Sequence, residues 1–200
     1  MKKDLGPMNA VFPMPVLMIA TYDENGKVDV MTAAWGMICD YEKIALFLEA
    51  GHKTTKNIKS QKAFTVSIGD RIHMEEVDFF GIASANKMDD KFERTGFHAV
   101  KSQYVNAPII EEFPLVMECE LDGIFDDGKL HALVGNIENV AVEESILSEN
   151  GKIDVKKLNA LLFDQFQYGY YVIGEQVGKA WNAGKELMKK VKEEDKKEEK

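Results

Sequence analysis

The order of apolar and polar positions along the chain predicts a run of strands with short helices set between them. Val16 to Tyr22 is a continuous apolar run and reads as a strand. Asp23-Glu24-Asn25-Gly26-Lys27 follows it, and Asn25-Gly26 can take the positive φ that a tight hairpin needs. Val28 to Trp35 returns as a second strand, Asp40 to Lys43 is another turn, and Ile44 to Leu48 reads as a fully buried strand. A short helix is expected around Thr55–Ser60, then a strand over Ala63–Ile68. Met74, Val77, Phe80 and Gly81 recur at helical spacing and predict a helix over Met74–Ser84.

The polar stretch Asn86–Phe97 predicts a short helix around Asp89–Arg94. In Leu115–Gly123, Met117, Cys119 and Leu121 alternate with Glu118, Glu120 and Asp122, the clearest strand of all. Asp126-Asp127-Gly128 turns it into a partner strand, Leu130 to Val142. Beyond a polar loop over 145–157, Leu158–Phe163 is an apolar run, and Tyr168–Ile173 reads as a short strand or an aromatic lining. About six or seven strands, mostly hairpin-linked, predict a mainly β fold with short helices, a small antiparallel barrel and not a doubly wound parallel sheet. The domain is expected over 1–184. From Lys185 onward lysines and acids interleave as a charged C-terminal tail, 185–200, expected to be a solvated helix that frays.

Two hundred residues with 45% hydrophobic positions suffice for one domain with an ordinary core. The net charge of −9 argues against a general nucleic-acid binder. Cys39 and Cys119 have no paired spacing, and no stretch of about 18 apolar residues occurs, so a cytoplasmic protein with no membrane segment is expected. No Gly-x-Gly-x-x-Gly opens a helix. Gly174–Lys179 is one residue short of a phosphate-binding loop, with Ala180 where Ser or Thr should stand. His52, His73, His98 and His131 share no metal-ligand spacing with either cysteine, so no metal is expected.

Two stretches carry the candidate chemistry. Met31-Thr32-Ala33-Ala34-Trp35 shrinks to small side chains before an indole, where a flat ring can lie against a strand edge. Gly51-His52-Lys53-Thr54-Thr55-Lys56-Asn57-Ile58 brings cations and possible threonine caps to a helix start, where a phosphate is favoured. Singly, each has an ordinary reading: a core tryptophan, a capped surface helix, solvated Lys87 and Lys91.

Their order resembles the flavin reductase-like family, and its flavoredoxin branch most of all. The resemblance spans about Pro13 to Gly184 through Pro13–Tyr22, Val28–Trp35, His52–Ile58, Ala83–Phe97, Ala107–Cys119 and His131–Val140. It implies an antiparallel FMN-binding split barrel, a homodimer, and an oxidoreductase passing electrons from NAD(P)H or a protein donor through bound FMN. By the same resemblance, Thr32, Ala33, Ala34 and Trp35 would flank the flavin ring, and His52, Lys53, Thr54 and Thr55 would hold the phosphate. Lys91, in Asp90-Lys91-Phe92, is favoured over Lys87 to reach that phosphate. His131 would face the flavin as the candidate catalytic residue, and Phe163 or Phe166 would close one side. Asp29 stands where the family often has Asn; close to the ring and ionised, it would accept from flavin N3–H and lower the potential. Two other readings are a flavin-binding module without turnover and a pyridoxamine-phosphate oxidase-like enzyme. The latter would need additional arginines, and this chain has only Arg71 and Arg94.

Overall fold

The computed structural model describes residues 1–126, 131–185 and 187. Seven strands form the main sheet: β2 (Leu17–Tyr22), β3 (Val28–Ala33), β4 (Gly36–Asp40), β5 (Lys43–Leu46), β6 (Ala63–Ile68), β9 (Leu115–Asp126) and β10 (His131–Val142). Their spatial order is β3-β2-β6-β9-β10-β5-β4, every neighbouring pair is antiparallel, and the sheet curls into a half-barrel. A three-stranded sheet of β1 (Met14–Pro15), β11 (Leu161–Asp164) and β12 (Gly169–Val172) and a small pair, β7 (Ala99–Lys101) with β8 (Pro108–Ile110), complete it. Packed with these sheets are the helices α1 (Lys53–Gln61) and α2 (Met74–Ile82) and the single turn α3 (Val155–Leu158).

The fold is therefore the mainly β, antiparallel architecture that the residue pattern predicts. The physical reason for the unbroken apolar run at Leu17–Tyr22 is burial on both faces. Val16, Met18 and Ala20 pack with Val77 and Phe80 of α2 on one side, while Leu17 and Ile19 pack with Ile58 of α1, Leu46, Phe64 and Leu133 on the other. A strand with two covered faces loses the alternation that a half-exposed strand shows. The hairpin to β3 closes as expected. Asp23 Oδ1 accepts the N–H groups of Asn25 (2.8 Å) and Lys27 (2.9 Å), and Gly26 takes φ +79.

Several boundaries differ from the expected ones. The strand expected to run to Trp35 ends at Ala33, and the chain bends through Ala34 and Trp35. It then makes β4, which the residue pattern does not predict, because β4 is the exposed edge of the sheet and has no inward face to set a period. The helix expected from Thr55 begins at Lys53, so the threonines lie inside its first turn and do not cap it; His52 holds the N-cap position without a side-chain cap bond. The helix expected around Asp89–Arg94 is a 3-10 turn at Glu93–Thr95. Leu158–Phe163 divides between α3 and β11. The turn expected at Asp126-Asp127-Gly128 lies mostly outside the described residues, as does nearly all of the charged tail.

Glu118, which alternation assigns to the polar face of β9, is only 1% exposed. Ser102 Oγ donates to its Oε2 and Asn139 Nδ2 donates to Oε1 at 2.6 Å, so the buried carboxylate is satisfied on both oxygens.

Candidate functional site

One cleft of about 650 Å³ opens between the end of β3, the segment after β5, the start of α1 and the end of α2. That volume lies in the range of small-molecule sites. Thr32, Ala33, Ala34 and Trp35 line it, as do His52, Lys53, Thr54, Lys91 and His131. The topology brings these together because β3 at one edge and β10 further along belong to one curled sheet, while α1 packs on β2 and β3 and α2 on β3. Thr55 is the exception among the residues expected to hold a ligand. It is fully buried and its hydroxyl donates to the Glu49 carbonyl at 2.8 Å, fixing the loop that leads into α1. Lys87, Phe163 and Phe166 do not line the cleft either; Phe163 packs against Tyr170.

The wall beside Thr32 is low. Ala33, Ala34, Gly81, Ala83, Ser84 and Ala85 present side chains too small to obstruct a flat ring. Thr32 commits its hydroxyl to the Val77 carbonyl and so ties β3 to α2. Trp35 is half exposed at the bend before β4.

The opposite end is charged, and each cation already faces an acid. Lys53 Nζ donates to Glu24 Oε2 at 2.7 Å and lies 3.8 Å from Asp23 Oδ2. The hydrogen bond to Glu24 holds the lysine above its ordinary pKa and, reciprocally, holds Glu24 below the usual carboxylate range. Lys91 is 4% exposed and donates to the Val30 carbonyl at 2.7 Å, with Asp29 Oδ1 at 3.7 Å, an ion contact too long for a hydrogen bond. Burial pushes its pKa down, opposed by the nearby Asp29 charge. Asp29 Oδ2 accepts the Thr54 hydroxyl at 2.7 Å. Asp29 thus belongs to the Thr54–Lys91 end of the cleft, among the residues expected at the phosphate. The first turn of α1 contains no acidic residue and its N-cap makes no side-chain bond, so its terminal N–H groups stay open to an anion.

Among the described residues, three buried side-chain polar atoms have no hydrogen-bond partner: Asp29 Oδ1, His52 Nδ1 and His131 Nε2. All three residues line this cleft. An unpaired buried polar atom costs on the order of 1–3 kcal/mol, so three at one place mark where a ligand would supply the missing partners.

The profile of the flavin reductase like domain matches residues 8–171. The chain belongs to that family. It is 34% identical to the flavoredoxin of Desulfovibrio vulgaris, with a TM-score of 0.87 over 92% of this chain and 100% of the other. The flavoredoxin of Methanosarcina acetivorans is 25% identical, with a TM-score of 0.83 over 94% and 98% of the two chains. A Shewanella frigidimarina structure described by its split barrel domain is 18% identical, with a TM-score of 0.75 over 85% and 86%, and shows the shared fold.

Within this flavin reductase-like chain, reading the sequence left Phe47–Glu49 and the Gly81–Ala85 wall without a role. The run Ala83-Ser84-Ala85 carries the same small-residue signal as Thr32–Ala34, but a helix end gives no strand edge to look for. Phe47 and Leu48 belong to a stretch read as buried strand, with Glu49 just past it, and the strand ends at Leu46, leaving all three in the segment that lines the cleft. Among the described residues no group of three or more His, Cys, Asp or Glu side chains is placed to hold a metal ion, and no helix is long and apolar enough to cross a membrane.

Proposed function

We propose that this chain binds FMN in the cleft and acts as an oxidoreductase, taking electrons from NAD(P)H or a protein donor and passing them to an acceptor. The observation that carries the reading is the convergence of three buried polar atoms without a hydrogen bond on one cleft whose opposite ends suit a flat ring and an anion. FMN, when bound, supplies the redox chemistry; the protein supplies position, hydrogen bonds and charge.

The low wall at Ala33, Ala34, Gly81 and Ala83–Ala85 would admit the ring edge, with Trp35 at the open side. Lys53 and the N–H groups at the start of α1 would meet the phosphate, which takes over the place Glu24 holds on Lys53. Glu24 is exposed enough to swing away, its side chain being 66% accessible. Lys91 acts from behind: tied to Val30 and Asp29, it sets the local charge and does not reach outward. His131 offers Nε2 at another part of the lining.

A homodimer belongs to the same proposal. Trp35 at the cleft, Met37 and Ile38 on the edge strand β4 and Tyr41 in the turn after it are all exposed apolar side chains, and a second copy pairing along this edge would cover them. The pyridoxamine-phosphate oxidase-like reading loses support, because neither Arg71 nor Arg94 lines the cleft and Arg94 is paired with Asp90 at 2.9 Å.

The test is an absorption spectrum of the purified, desalted protein, with any released ligand identified by mass, followed by FMN titration and assays of NADH and NADPH oxidation. Bound flavin with donor oxidation is the expected result. A protein that carries no flavin and takes up none overturns the proposal. Tight FMN binding with no turnover from any reduced donor reduces it to a flavin-binding module.

A further inference from the structure

Where β9 ends and β10 begins, Asp126 and His131 stand directly opposite each other in the ladder. Cross-strand partners place their side chains within reach of one another, and Asp126 Oδ2 lies 3.0 Å from His131 Nδ1. The imidazole is nearly enclosed, 14% accessible, while the carboxylate is half exposed. The second ring nitrogen, Nε2, is buried without a hydrogen-bond partner in a residue that lines the cleft. The other charged side chains deep in that lining are committed elsewhere: Asp29 to Thr54 and Lys91, Lys53 to Glu24.

A neutral imidazole carries one proton, on one nitrogen or the other, and an ionised carboxylate can only accept. A 3.0 Å contact between Asp126 and Nδ1 therefore requires the proton on Nδ1, which leaves a bare lone pair on Nε2. We infer that Asp126 is a positioning residue: it fixes His131 in the Nδ1–H tautomer, so that this part of the cleft receives a hydrogen-bond donor, an N–H or O–H of the electron donor or acceptor. A carboxylate partner of this kind sets both ring orientation and tautomer, as outer partners of functional histidines do. The tautomer assignment stands on the geometry alone; the identity of the arriving group rests on the flavin oxidoreductase reading.

The full chain, labelled with ¹⁵N-histidine and freed of flavin, is examined by long-range ¹H–¹⁵N NMR at about pH 8.5, where an ordinary histidine is neutral. The His131 signals are assigned by their loss in His131→Gln. Expected are a protonated Nδ1 and a bare Nε2 in the wild type, a shift of the proton to Nε2 in Asp126→Ala, and recovery of the Nδ1–H form in Asp126→Glu. An Nε2–H ring in the wild type, or a tautomer indifferent to Asp126→Ala, overturns the inference. In the flavin-loaded protein, Asp126→Ala is expected to raise KM for the reduced donor roughly tenfold with kcat changed less than about twofold, the signature of a lost binding contact. An unchanged KM overturns the receiving role. A wild-type chain that takes up no FMN overturns the proposed function instead, and the NMR result still decides the pairing.

Discussion

The ammonium of Lys91 lies 3.7 Å from Asp29 Oδ1, and both side chains are about 95% buried. This pair sits between the core of the sheet and the charged end of the cleft, so its charge balance bears on stability and on anion binding together. Asp29→Asn keeps an acceptor for the Thr54 hydroxyl but leaves Lys91 without its counter-charge. Breaking a buried pair from one side costs about 3–5 kcal/mol. The variant is expected to unfold at lower denaturant concentration, with much of the loss recovered in Asp29→Asn/Lys91→Met. Equal stability of wild type and single variant would show that the pair is not coupled.

Removing the same negative charge should favour a phosphate nearby. Asp29→Asn is expected to bind FMN more tightly relative to riboflavin than the wild type does, measured by flavin fluorescence titration. An unchanged ratio would place the phosphate elsewhere.

Lys53 and Glu24 give the complementary test. Lys53→Ala removes a charge-assisted hydrogen bond, worth roughly 1.5–3 kcal/mol or about 10- to 150-fold in Kd. The loss is expected for FMN and not for riboflavin. Glu24→Gln, which frees Lys53 from its 2.7 Å partner, is expected to tighten FMN alone. Equal effects on both flavins in either variant would refute a phosphate at Lys53.

Cys119 lies in the core, and burial, reinforced by Glu138 and Glu118, pushes its thiol from an ordinary 9.0 up to about 12. Between those values the unfolded chain has lost a proton that the folded chain retains, so stability falls as pH rises through that window. Denaturant unfolding across about pH 8 to 10.5 should show the fall. In Cys119→Ala the fall should begin later, at the pH where Tyr170 takes over. Burial is the first cause raising Tyr170 from 10.0 to about 12, and its bond to Asp78 adds to it. At neutral pH a thiol reagent should label exposed Cys39 and reach Cys119 only on unfolding.

Gly135 on β10 lies under the ring of Phe64, and a Cβ there would overlap the ring carbons. Gly135→Ala is expected to lower stability by about 1–3 kcal/mol through overpacking. Phe64→Leu in the same chain should restore part of it.

The residues alone were enough for the antiparallel, mainly β fold, because apolar period and hairpin turns are local properties of the chain. Two-residue alternation in β9, the unbroken run of β2 and the Asn25-Gly26 turn each carry their own signal. The nearness of Thr32–Trp35 to His52–Thr54 was suggested in the same way by their closeness along the chain, although two strands, β4 and β5, lie between them where one was expected. What the tertiary structure decided lies in partnerships that only the folded chain forms. Asp29 could be placed beside a flavin ring from its position in the chain, yet Thr54 and Lys91 draw it to the charged end. Thr55 carries the same hydroxyl as Thr54, but the rotation of about 100° between successive helix residues points it inward to Glu49. The edge strand β4 left no trace in the sequence because an edge has no buried face to impose a period. Asp126 could not be tied to His131 until the ladder brought them opposite each other. Local order follows from the chemistry of neighbours along the chain, whereas charge pairing and orphaned atoms exist only once the sheet has curled and the helices have packed on it.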